Sequence, residues 1–131
     1  MTDFADRRLP EEPDVLAPDG SEVRILLAFE GQGSMAHFRL PAGAVAKAVV
    51  HRSVQELWYV LEGRGQMWRS QAGREEVLQL QPGLCLSIPV GTRFQFRAAP
   101  DAPLSAVAVT LPPWPGADEA QFVQGPWQAS V

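Results

Sequence analysis

His51 and Glu56 stand five positions apart in a stretch that is otherwise mostly apolar, AVVHRSVQELWYVLEG. An imidazole and a carboxylate that share one site can exchange a proton, the arrangement general acid–base chemistry requires. Buried together they satisfy each other by a hydrogen bond and titrate as a coupled pair. The same two residue types are metal donors, but a transition metal held firmly takes at least three protein donors. The chain offers few others: one more histidine, His37, and one cysteine, Cys85. His37 alternates with Ala36, Phe38 and Leu40, which read as core, so it is placed outward beside Arg39, at a surface or interface. Cys85, among Leu84, Leu86 and Ile88, reads as plain core.

These side chains must be positioned by short strands. From Glu22 onward the chain is a series of apolar runs: Val23 to Glu30, Met35 to Leu40, Ala46 to His51, Glu56 to Glu62, Gln66 to Arg69, Glu76 to Leu80, Leu84 to Ile88, Arg93 to Arg97 and Leu104 to Leu111. Gly31, Gly33, Pro41, Gly43, Gly63, Gly65, Gly73, Pro82-Gly83, Pro89, Gly91, Pro100 and Pro103 break them. Short runs at regular spacing with no helical period predict an all-β sandwich or barrel over residues 22–111. Residues 1–21 read as an N-terminal arm, packed loosely or paired with a neighbour. Residues 112–131 read as a tail too rich in proline for helix or strand. Its Trp114, Phe122 and Trp127 are expected to lie against the barrel or a partner subunit. Along a strand, Lys47 and Val49 share the face of His51, Trp58 and Val60 share that of Glu56, and Phe94, Phe96 and Ala98 share another.

Two segments carry a family likeness. GAVAKAVVHRSVQELWYVLEGRG, from Gly43 to Gly65, and GLCLSIPVGTRF, from Gly83 to Phe94, resemble the paired motifs of the cupins. The Gly, His, His, Glu and Gly of the first motif fall on Gly43, Val49, His51, Glu56 and Gly63. The Gly, Pro, Gly, His and Asn of the second fall on Gly83, Pro89, Gly91, Phe94 and Ala98. The resemblance implies a double-stranded β-helix, or jelly roll, that commonly holds one metal on three histidines and a glutamate. It also implies sharp turns at Gly63 and Gly83 where a Cβ would clash. Of the metal-binding positions only His51 and Glu56 keep a donor; Val49 and Phe94 carry carbon alone. The pocket so implied comprises Val49, His51, Glu56, Trp58, Val60, Phe94 and Phe96, apolar at its centre with a polar edge. Lys47 at its mouth reads as solvated.

Composition narrows the class further. At 131 residues, 46% of them hydrophobic and 20% charged, the chain is one globular domain. A net charge of −4 with no basic stripe argues against a nucleic-acid partner. A single cysteine excludes an intrachain disulfide. With no apolar signal segment and no membrane-length run, cytoplasmic residence is expected. The leading expectation is a stand-alone cupin that binds a small molecule without a firmly held cofactor. One alternative is an isomerase or dioxygenase using Zn, Ni, Fe or Mn on His51 and Glu56, completed by His37, water or substrate. The other is a non-catalytic dimeric module with a packed barrel. A homodimer is the expected assembly.

Overall fold

The computed structural model describes residues 2–131. Eleven strands run β1 (Val15–Leu16), β2 (Glu22–Phe29), β3 (Gly33–Leu40), β4 (Val49–His51), β5 (Gln55–Glu62), β6 (Gly65–Gln71), β7 (Arg74–Leu80), β8 (Cys85–Ile88), β9 (Arg93–Ala98), β10 (Leu104–Leu111) and β11 (Ala120–Phe122). One 3₁₀ turn, Ala117–Glu119, precedes the last strand. The strands form a six-stranded sheet in the order β1-β2-β3-β10-β5-β8 and a five-stranded sheet in the order β11-β4-β9-β6-β7. All pairings are antiparallel. The inner faces of the two sheets meet in a core that includes Leu40, Val60, Met67, Leu80, Phe96 and Leu104. The chain is thus all-β, a jelly-roll barrel.

Period-two patterning decides the faces. On β5 the burial alternates strictly: Glu56, Trp58 and Val60 are buried, while Leu57, Tyr59 and Leu61 are exposed. Gly63 turns the chain with φ at 80°, and a Cβ there would sit 2.1 Å from the Pro103 carbonyl oxygen. Gly83 differs from expectation. Open space surrounds its Cβ position, so only its φ of 92° calls for glycine.

Several segments depart from the sequence reading. The strand expected over Ala46 to His51 shortens to Val49–His51, because Lys47 N–H donates to Asp19 O and Ala48 O accepts from Val123 N–H. Lys47 is exposed and lies outside the pocket. The N-terminal arm pairs within its own chain, Val15 opposite Val23 and Leu16 opposite Glu22. In the tail, the stretch between Pro115 and Pro126 is free of proline, and there β11 adds to β4. Beyond it, the Gln95 side chain donates to Ala46 O at 2.8 Å and Trp127 O at 2.9 Å, and the Arg97 guanidinium lies 4.1 Å above the Trp127 ring. Trp114 N–H donates to Ser34 Oγ at 3.3 Å, and Phe122 is 64% exposed. Cys85 is also exposed: with Leu86 and Ile88 facing in, strand alternation turns it outward.

Candidate functional site

A cavity of about 130 Å³ lies between the sheets at the end where β4, β5 and β9 meet the two chain termini. Of the residues singled out from sequence, Val49, His51, Glu56, Trp58 and Phe94 line it. Val60 and Phe96 share the inner face without reaching it. They belong to the packed half of the barrel, where Phe96 stands edge-on to Trp58 at 5.1 Å. The rest of the wall comes from residues outside that set, chiefly Phe38 on β3, Trp114 of the tail, and Ala17–Asp19 ahead of β2.

His51 is the centre of the polar side of the cavity. Its Nε2 lies 3.3 Å from Glu56 Oε2, and its Nδ1 lies 3.7 Å from Glu119 Oε1. Its ring stacks on Phe94, with centroids 5.7 Å apart and planes 6° from parallel. Burial pulls the imidazole toward its neutral form. The hydrogen bond and charge of Glu56, with the charges of Glu119 and Asp19, outweigh that and hold its pKa above the ordinary value. His51 is therefore an imidazole among three carboxylates, poised to carry charge.

Glu119 sits at the end of the 3₁₀ turn and reaches across to the β4–β5 loop. Its Oε1 accepts from Ser53 N–H at 2.6 Å and Val54 N–H at 2.7 Å, and its Oε2 accepts from Ser53 Oγ–H at 2.8 Å. Burial pushes this carboxyl up, but those three donors and the nearby His51 hold it below the ordinary value. Asp19 shows the opposite balance. Burial is the dominant influence and raises its pKa, although Ser21 donates to Oδ1 from N–H at 2.9 Å and from Oγ–H at 2.7 Å.

His37 does not face this cavity. It lies on the outer face of β3, opposite Arg24 and Val107. It differs from the expected surface residue in being buried, 7% exposed, beside Arg24, whose guanidinium donates to Pro10 O and Glu11 O of the N-terminal arm. Burial, followed by the charge of Arg24, lowers its pKa.

The donor set does not fit the metal that cupin barrels commonly hold. Val49 and Phe94 are cross-strand partners, both at most 2% exposed and both lining the cavity, so hydrocarbon occupies two of the four ligand positions. His37 is on the far side of its sheet and cannot complete the set. Among the described residues, no three His, Cys, Asp or Glu side chains are grouped to hold an ion.

A two-sheet antiparallel barrel with its site between the sheets defines the jelly-roll class. Within it, the model of the cupin domain matches residues 36–110, and the chain belongs to that family. Among solved structures, Streptomyces PAC13 with uridine is similar at a TM-score of 0.71 and 12% identity, over 94% of this chain and 92% of that one. PAC13 is described as a unique nucleoside dehydratase. CapF, a capsular polysaccharide assembling protein from Staphylococcus aureus, is similar at 0.68 and 14% identity. That match covers 80% of this chain but only 32% of CapF, so the chain spans about a third of that protein. The cupin domain of Schizosaccharomyces pombe Cnp3 is similar at 0.63 and 11% identity, over 70% of this chain and 64% of that one. At these identities the likeness is one of fold. No curated protein matches the sequence. No helix among the described residues is long and apolar enough to cross a membrane.

Proposed function

We propose that this cupin binds a small molecule in its barrel without a firmly held metal and exchanges a proton with it through His51 and Glu56. The observation that carries the reading is the 3.3 Å contact between His51 and Glu56 on the wall of a cavity whose two other ligand positions are Val49 and Phe94. An apolar cavity with a few convergent polar groups is the usual form of a small-ligand site. That PAC13 was solved with uridine supports a barrel of this shape taking a small organic ligand. A cavity of about 130 Å³ is close to the size that holds benzene, so the ligand proposed for this chain is smaller than a nucleoside.

The acid–base pair has a direct test. In an NMR titration of the His51 ring, Glu56→Gln is expected to move its midpoint toward acid, because the neutral amide no longer favours the imidazolium. An unmoved midpoint removes the pair. A screen of compounds of about benzene size should in turn yield ligands that raise the melting temperature, since binding adds RT ln(1 + [L]/Kd). A barrel that no compound stabilises would favour a purely structural module.

A second copy of this chain is the proposed partner. Leu27, Met35, Val109 and Leu57 are successive cross-strand neighbours on β2, β3, β10 and β5, forming an apolar row over the outer face of the six-stranded sheet. Leu27, Met35 and Leu57 are each more than 40% exposed, and Tyr59 beside them is 50% exposed. Such a face is expected to be covered. Light scattering should give a dimer for the wild type and a monomer for Leu57→Glu, Tyr59→Glu; a monomeric wild type contradicts the assembly.

A further inference from the structure

We infer that the cavity takes a compact ammonium compound carrying a hydroxyl or ether oxygen, a class of ligand that rests on the small-molecule reading above. The titratable groups of its wall are Asp19, Glu56 and His51; no Lys or Arg is among its lining residues. A third carboxylate, Glu119, stands behind His51 at 3.7 Å. Three carboxyl groups thus surround one imidazole with no basic side chain on the wall, a composition that suits a cation better than an anion. Lys47 is exposed to solvent, and Arg24 is bound to the arm on the outer face.

The remaining wall is aromatic. Phe38, Trp58, Phe94 and Trp114 all line the cavity, with Phe38 stacked on Trp58 and Phe94 on His51, and aromatic rings attract organic cations through their negative faces. A separate observation asks for an acceptor. Trp58 is 2% exposed, and its indole N–H is buried with no partner in the protein. A buried donor left unmade is costly, so an occupant with an oxygen able to accept from it is favoured. Positive head, apolar methyl groups and one oxygen acceptor together describe a short ammonium alcohol or ether. Its size is bounded by a volume close to that of a benzene cavity.

The test is a calorimetric or NMR titration of the full chain at neutral pH with three probes of nearly one shape. Choline is the cation, 3,3-dimethylbutan-1-ol its neutral isostere, and 3,3-dimethylbutanoate the anion. Choline is expected to bind about tenfold more tightly than the alcohol, with the anion weakest. Glu56→Gln should shrink the preference for choline over the alcohol. Trp58→Phe, which removes the N–H and keeps an aromatic ring, should weaken both hydroxyl-bearing probes together. If the alcohol binds as well as choline, or the anion binds best, the ammonium assignment is overturned while the small-molecule reading stands. If none of the three binds at millimolar concentration, the ammonium assignment falls, and the screen of benzene-sized compounds decides the small-molecule reading.

Discussion

Glu119→Ala is expected to lower stability by about 2–4 kcal/mol, the cost of removing an ionised acceptor from one buried and two part-buried donors. The carboxylate is 5% exposed and holds Ser53 N–H, Ser53 Oγ–H and Val54 N–H at 2.6–2.8 Å. Without it, two backbone donors of the β4–β5 loop lose their partner, and the tail is tied to that loop only through the Arg52 N–H bond to Glu119 O. A shift of this size lowers the melting temperature of a domain this long by roughly 10 °C. Glu119→Gln keeps an oxygen for these donors and should lose less. The pH dependence has a definite sign. A carboxyl held below its ordinary value contributes stability that is present above the unfolded pKa, near 4.3, and is lost as pH falls through the folded value. The gap between wild type and Glu119→Ala should therefore be full at neutral pH and close in acid. His51, raised in the fold, acts oppositely: its contribution is present below about pH 6.5 and fades as pH rises through its folded value. Equal melting temperatures for wild type and Glu119→Ala at pH 7 would show that the tail does not brace the site.

The second large effect is a gain. Val49→His combined with Phe94→His is expected to create a site for one divalent ion per chain. The two positions are cross-strand partners that line the same cavity as His51 and Glu56, so the variant places four donors around one space. In the metal-free state the variant should be destabilised by several kcal/mol, because a fully buried Phe ring and a Val are replaced by polar rings. Zinc or nickel should recover much of that loss, since an ion that binds only the folded state adds its binding energy to stability. Either single variant, with three donors, should bind more weakly. A folded double variant with no affinity for metal would mean that these two side chains do not occupy ligand positions.

How far these features were legible depends on the distance over which each is built. The strands and their faces were readable because period-two alternation is local: Glu56, Trp58 and Val60 inward and Leu57, Tyr59 and Leu61 outward follow from adjacent residues alone. Cys85 was misread for want of that same rule, since facing Leu86 and Ile88 inward requires Cys85 to face out. The face of His37 was readable as well, but not its burial, which depends on Arg24 and the arm carbonyls of Pro10 and Glu11. Asp19 and Glu119 carry no local signal. Asp19 lies in a Pro-Asp-Gly turn of a kind common on surfaces, and Glu119 lies in a proline-rich tail, 66 residues from the Ser53 it binds. Both join the site only when the termini fold back across the barrel, through contacts that no short window of sequence contains.

The most direct test of the central claim is the metal content of the wild-type protein. After exposure to zinc, nickel, iron(II) and manganese(II) in turn, then dialysis without chelator, elemental analysis should find far less than one ion per chain. One ion per chain, lost in both His51→Ala and Glu56→Ala and kept in a surface control, would contradict a barrel in which Val49 and Phe94 have displaced the metal.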